Sequence, residues 1–395
     1  MSTDVTTGGT EDFSLFLGGP LYQVLLRVGL LKPPLDRLKW RVAVISMLAW
    51  APLLVLTLLY GRVLGGVKIP FLYDFEVQVR LLVSLPLLIA GEVTIHERVT
   101  VLVRQFRERQ IVTAALESKF AKIVESAQRL RNSIAIELGL LAFVVLVGGV
   151  FWREVYSLQS DTWYATLAAG GKTSTAAGYW YQFVSVPVAQ FISLRWTFRL
   201  FVWWRFLWQV SRLDLNLVPT HPDRSCGLGF LDGTVFAMAP FLLAQSCLLS
   251  GYLANRLLHE SAKLPDHYVE IGALALLLYL LALGPLCVFT PVLLRARRLG
   301  LMTYGRLASE YVIAFDRKWT GGQRPTEEPL LGTADIQSLA DLANSFAIVQ
   351  SIIPFPFGRN SLVGLAVIIA LPILPLLLTM FSLQELASRL MQIVL

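Results

Sequence analysis

The chain is poor in the residues that keep most soluble proteins dissolved. Only 15% of its 395 residues are charged, where a soluble domain usually carries roughly 25%. Histidines number four and cysteines three. Cys226, Cys247 and Cys287 have no CxxC spacing, so no disulfide framework is expected. Cys247 and Cys287 sit in apolar runs and read as small packing residues. The first residues, MSTDVTTGGTEDF, lack a basic start and a small-residue cleavage site before a short apolar core, so no cleaved leader is expected. The net charge is +7. In a soluble protein that balance would suggest nucleic acid; on an oily chain a positive bias of the inner loops explains it, and no nucleic-acid partner is expected.

What the chain has instead is long uncharged runs, spread from Val42 to Phe381. They predict an all-α, polytopic transmembrane helix bundle of about seven spans, since a crossing needs roughly 20 mainly apolar residues. The spans are Val42–Tyr60, Val77–Thr94, Ser133–Trp152, Gly178–Leu194, Thr234–Ala254, Ile271–Leu294 and Ser361–Phe381. The second is the weakest, because its uncharged part is only Leu81–Gly91. The fourth continues as helix to about Arg212. Pro372 and Pro375 interrupt the seventh, which leaves a re-entrant segment open as an alternative. With the N-terminus in the cytoplasm, segments 1–41, 95–132, 195–233 and 295–360 face inward. They hold 26 of the 34 lysines and arginines, the asymmetry expected of inner loops. This divides the chain into a cytoplasmic segment, 1–41, and a transmembrane domain, 42–395. Residues 382–395 would then lie outside, and the location is an inner, or cell, membrane.

Two inward insertions read as helical. His96–Arg131 places Val99, Leu102, Phe106, Leu116, Phe120, Ile123, Ala127 and Leu130 at spacings of three and four, one face of an amphipathic helix or helix pair. The insertion 295–360 reads as helix, breaker and helix. Its breaker is TGGQRPTEEP, and Thr333 is a suitable N-cap for the helix that follows. These insertions predict a cytoplasmic helical layer. The outward loop Arg153–Ala177 is small and polar; it is expected to be a mobile surface loop, with Trp152, Trp163 and Trp180 at headgroup level.

Charges at membrane depth are costly and rarely stay unpaired. Glu92 and Glu137 lie within about a turn of the inner surface by this topology, and Arg195 and Arg199 enter at the same depth. These four are expected to meet or to face a common vestibule, either as a transport element or as a salt-bridged helix contact. Arg195, Arg199, Arg205 and Arg212 alternate with Trp196, Trp203, Trp204 and Trp208. Their irregular intervals do not form a gating ladder, so the helix reads first as an interfacial anchor. Arg80 is placed at the outer surface near Asp74 or Glu76.

The most motif-like stretch is PTHPDRSCGLGFLDG, Pro219–Gly233. Pro219 and Pro222 bias the residues before them away from helix, and three glycines follow. His221, Asp223 and Arg224 are the candidates for a functional loop. As a metal site it lacks the three or four ligands zinc needs. As a phosphate cradle it lacks the Lys-Ser/Thr of a P-loop. A Cys226–His221 nucleophile pair is open, as is a structural turn braced against Glu92, Glu137 or the second insertion. No cofactor is implied.

Two stretches, PTHPDR with GLGFL after it and GTADIQSLADL with NSF after it, resemble those of a group of uncharacterised bacterial polytopic inner-membrane proteins. They stand here at Pro219–Leu231 and Gly332–Phe346. The resemblance covers about the second half of the chain and implies one shared scaffold, with no activity, cofactor or substrate. Cys226 departs from it where a small residue is expected. The functional expectation is an ion or small-solute channel or transporter, a homo-oligomer in a lipid bilayer. The alternatives are a membrane-embedded ligand or metal sensor or enzyme built on the His-Pro-Asp-Arg loop, or a membrane scaffold.

Overall fold

A computed structural model describes residues 13–33, 35–155, 162–168, 171–260, 262–321 and 334–379. Apart from one two-stranded hairpin, its regular structure is helical. In chain order the helices are α1 (Pro20–Arg27), α2 (Leu38–Leu59), α3 (Phe75–Glu108), α4 (Glu117–Arg131) and α5 (Ile134–Val155). Next come the hairpin strands β1 (Ala165–Ala168) and β2 (Gly171–Ser174), then α6 (Ala176–Val210). α7 (Ala239–His259) is bent by 41° from the short helical stretch Gly229–Ala237 ahead of it. α8 (Tyr268–Cys287), α9 (Thr290–Trp319), α10 (Ala334–Gln350) and α11 (Arg359–Ala370) complete the set.

Among the described residues, three segments are long and apolar enough to cross a membrane: Leu38–Leu59, Phe75–Glu108 and Leu264–Cys287. The bent pair ending in α7 makes a fourth if it counts as one crossing. α5 and α6 form where two further spans are predicted. The last predicted span is not one helix. α11 stops at Ala370, and the chain turns into a 3-10 helix at Leu374–Thr379. Pro372 and Pro375 have no N–H to continue an α-helical ladder, which accounts for the break. Residues 382–395 lie outside the described set.

α6 is the centre of the bundle. Its Trp196, Trp203, Phe206 and Leu207 are fully buried, and it packs against α3, α4, α5 and α8. The opposite faces of α2, α5 and α8 expose Leu58, Leu146 and Leu280. An apolar perimeter around a core that contains charge suits lipid rather than water. Trp204 and Trp208 stay half-exposed, as an interfacial belt would, whereas the other two tryptophans of the α6 series are core.

The first insertion is a helix pair. α3 runs on to Glu108 without a break, and the chain turns into α4. Val99, Leu102, Phe106, Phe120 and Ala127 are buried along the shared face. The second insertion is a hairpin of α9 and α10, pinned at its far end by Lys318 and Trp319, which both donate to Asp335 Oδ2. α9 ends at Trp319, where the breaker begins; the rest of the breaker from residue 322, and the N-cap candidate Thr333, lie outside the described set.

The loop expected to face outward differs from expectation in its packing. Trp163 is fully buried, donates to Asp74 Oδ2 at 2.9 Å and meets Phe71 and Tyr181 edge-on. A buried carboxylate needs a donor and a large ring gains from burial, so the hairpin is drawn onto the bundle rather than left at headgroup level.

Gly300 of α9 sits where two chain segments converge. A Cβ there would lie 2.7 Å from Pro219 Cβ and 2.9 Å from Val349 Cγ1. Thus the stretch Pro219–Gly233 and the helix α10 meet on one glycine. Gly300→Val should lower stability by about 1–3 kcal/mol through overpacking, read as a lower melting temperature in detergent; an unchanged temperature would contradict this packing.

Candidate functional site

Glu92, Glu137, Arg195 and Arg199 come together in the interior, where each is almost wholly buried. Arg195 bridges the two carboxylates, donating through Nη1 to Glu92 Oε1 at 2.5 Å and through Nε to Glu137 Oε1 at 3.3 Å. Arg199, one helical turn along α6, donates to Glu137 Oε1 at 2.9 Å. The spacing of four residues puts both guanidinium groups on one face. Arg41, near the start of α2, completes the set, with Nη2 at 3.2 Å from Glu92 Oε2 and 3.1 Å from the Ile89 carbonyl. Three arginines against two glutamates leave one formal positive charge in excess.

The N-terminal segment ahead of α1 is part of this site. Phe13, Ser14, Leu15 and Phe16 are buried, and their backbone supplies acceptors that the arginines need. Arg199 donates to the Arg131 carbonyl at 2.7 Å and the Gly18 carbonyl at 3.4 Å. Arg131 donates to the Ser14 carbonyl at 2.5 Å. In return, Glu137 Oε2 accepts from the Leu21 amide at 2.8 Å. Phe16 lies under the Arg195 guanidinium at 5.4 Å and packs on Trp196. His96 Nδ1 and Ser14 Oγ are 2.9 Å apart. Burial, opposed by Tyr22 and aided by Arg195, pulls the Arg131 guanidinium down to about 10, so it remains charged at neutral pH.

Above this network α3 and α6 share a local device. Val83-Ser84-Leu85-Pro86 and Val184-Ser185-Val186-Pro187 each end a π-helical turn, Arg80–Ser84 and Tyr181–Ser185. A proline two residues on removes a backbone donor, and a wide turn re-seats the carbonyls it strands. Both serines are buried and reach a neighbouring helix: Ser84 Oγ donates to the Ala244 carbonyl at 3.0 Å and Ser185 Oγ to the Ala49 carbonyl at 2.6 Å. The two turns are joined by Arg80, which donates to Tyr181 Oη at 2.7 Å and pairs with Glu76.

Two cavities lie along this seam. One, of about 430 Å³, is lined by Ser84, Leu88, Gln190, Ser193 and Gln245 among others. The second, of about 490 Å³, is walled by Asp74, Glu76, Tyr181 and Asn255. They share Arg80, Gln245 and Leu248. The first ends at Leu88 and Leu194, a turn short of Glu92 and next to Arg195.

The stretch Pro219–Gly233 folds around Asp223. Its carboxylate accepts from the backbone amides of Ser225, Gly227 and Gly229 at 2.9, 3.1 and 2.8 Å. A Cβ on Gly229 would lie 2.9 Å from Asp223 Oδ2. Arg224 and Cys226 adopt left-handed backbone, both at φ 55°, which costs energy without glycine. Burial alone would push the Asp223 carboxyl up, but the three amides and His221 outweigh it and hold it below the usual aspartate value. His221 Nδ1 lies 2.9 Å from Asp223 Oδ1 and 3.3 Å from the Asp223 amide. Protonated, it donates to the carboxylate; unprotonated, it accepts from the amide. Burial, with Asp223 close by, pushes the Cys226 thiol up to about 12, which makes it a poor nucleophile at neutral pH. The Arg224 side chain is exposed, while its carbonyl accepts from the Ile353 amide at 3.0 Å. The loop therefore braces against the second insertion, through Ile353 and through Pro219 on Gly300. Among the described residues, no three His, Cys, Asp or Glu side chains gather in a metal-holding group.

The sequence pattern brings Glu92, Glu137, Arg195 and Arg199 to one depth but gives no sign of Arg41, Arg131 or the buried segment Phe13–Gly19. The repeated Val-Ser-x-Pro was a readable signal for the paired wide turns. Comparisons with family models, with curated proteins and with solved structures return no significant match.

Asp223→Asn keeps the side-chain shape but removes the charge that three amides address. It should cost about 1–3 kcal/mol of stability at neutral pH. Because the folded pKa is depressed, this contribution is complete above about pH 4 and lost as pH falls through the lower folded value. The gap between wild type and variant melting temperatures should therefore close in acid. A constant gap from pH 7 down to pH 3 would contradict it.

Proposed function

We propose that the chain is a channel or transporter for a small ion or charged solute, acting as a homo-oligomer in a bilayer and crossing it about seven times with its N-terminus inside. The observation that supports this most is the pair of adjoining cavities that lead from Asp74 and Glu76 past Gln245 to the level of Glu92 and Arg195. Buried ion pairs contribute little net stability compared with apolar packing, and ionisable groups inside a membrane domain often mark a solute path. The excess guanidinium charge in the network favours an anion. Exposed apolar residues on α9, among them Met302 and Ile313, offer a surface for a second copy.

A second reading has its own observation. Arg199 and Arg131 spend donors on main-chain carbonyls of the Phe13–Gly19 segment and its neighbours. A network used that way can be a structural clamp inside a scaffold that carries nothing. The resemblance to an uncharacterised membrane group is compatible with both readings.

Purified protein in liposomes should pass chloride or another small ion down a gradient. Glu137→Gln should change that flux about ten-fold or more, since it removes the carboxylate shared by two arginines. Gln245→Leu, which alters the junction of the two cavities without touching the network, should reduce flux with little change in melting temperature. Absence of flux under every gradient and voltage applied, with the protein folded, would overturn the transport reading and leave the clamp.

A further inference from the structure

A separate cavity of about 800 Å³ lies where α6 ends and α8 passes into α9. Its walls are Leu213, Leu215 and Leu217 of the extended segment after α6, with Val292 and Leu299 of α9 opposite. Arg212 and Arg295 line it, both exposed, and among the described residues neither has a carboxylate within ion-pair distance. The Arg212 guanidinium instead rests over the half-exposed indole of Trp208, 5.4 Å from its ring centre. Asp214 also lines the cavity, so the local balance is two cations to one anion.

The location fixes what such a cavity would meet. α8 is one of the segments apolar enough to span, and α9 is its continuation, carrying Arg295, Arg297 and Arg298 in its first turns. The junction is therefore a membrane surface on the basic side of the bundle, where anionic headgroups concentrate and basic pockets between helices capture them. An apolar wall beside two guanidinium groups offers an acyl chain and a phosphate their separate environments. A free phosphate has no use for the leucine wall, and a zwitterionic lipid has no use for the uncompensated charge.

We propose that this cavity holds one anionic phospholipid of the inner leaflet, with Arg212 and Arg295 on the phosphate and the acyl chains against Leu213–Leu217 and α9. The proposal rests on the membrane placement argued above, not on transport. Pro219 lines the same cavity and packs on Gly300, so the lipid would prop the extended segment that leads into the Asp223 loop.

Native mass spectrometry of the full chain, extracted from vesicles of equal phosphatidylglycerol and phosphatidylcholine, tests it. The wild type should retain phosphatidylglycerol preferentially, and Arg212→Gln with Arg295→Gln should reduce that retention about ten-fold. Arg129→Gln with Arg306→Gln removes the same charge elsewhere and should leave it unchanged. Arg295→Gln alone serves if the double variant does not fold, with a smaller loss expected. Equal retention of the two lipids, equal loss in both double variants, or displacement by inorganic phosphate alone would overturn the site. The readout does not involve flux, so a protein that binds the lipid yet carries no ion overturns only the transport reading.

Discussion

One constraint shapes the centre of the bundle: guanidinium and carboxylate groups taken out of water are costly unless paired and hydrogen-bonded. The network meets it in part, with Arg41 Nε and Nη1 and Arg199 Nε buried without a partner among the described residues. Arg195 meets it by bridging Glu92 and Glu137. Arg199 and Arg131 meet it by drawing backbone carbonyls of Gly18 and Ser14 inward, and Glu137 repays part of this through the Leu21 amide. The N-terminal segment is thus buried because the arginines need acceptors, and its own Phe13 and Phe16 fill the aromatic core beside Trp196 and Trp203. Removing Glu92 would leave Arg41, and removing Glu137 would leave Arg199, without its carboxylate, a loss of about 3–5 kcal/mol.

The space above the network follows from proline. Pro86 and Pro187 deny a donor to the preceding turn, and the two wide turns so formed place Arg80 and Tyr181 opposite one another. Residues of these turns line both cavities, Arg80 in each, Ser84 in one and Tyr181 in the other. In the stretch Pro219–Gly233 proline and glycine act differently: Asp223 organises a tight loop that braces α9 at Gly300 and the segment after α10 at Ile353. Asp223 and His221, which made this stretch look reactive, are engaged within the loop itself, while the Arg224 side chain is exposed.

Much of this was legible in the sequence. Hydropathy found an all-α chain, but among the described residues only three of the seven expected spans, or four with the bent pair, are long and apolar enough to cross. Glu92, Glu137, Arg195 and Arg199, expected at one depth, do meet. Periodicity marked the apolar face that α3 and α4 share, but left one helix or a pair open. The failures have physical causes. The buried segment Phe13–Gly19 has no periodicity, because its burial is dictated by distant arginines. Trp163 reads as a headgroup residue until Asp74, far away in sequence, claims its indole. The final predicted span was hydrophobic enough, yet Pro372 decided its path rather than its hydropathy. Arg41 stands at the edge of a span, where a snorkelling residue is the ordinary reading, and only the fold turns it inward to Glu92.

The central claim is that the ion network holds the N-terminal segment inside the bundle. Hydrogen–deuterium exchange over residues 13–21 tests it most directly, since opening of this segment is a local event. In the wild type the amides of Phe16, Leu17 and Leu21, which donate to Ser14 and Glu137, should exchange slowly. In Arg199→Gln they should exchange at least about ten-fold faster while α7 keeps its protection. Rapid exchange in the wild type, or protection that survives the substitution, would contradict the account.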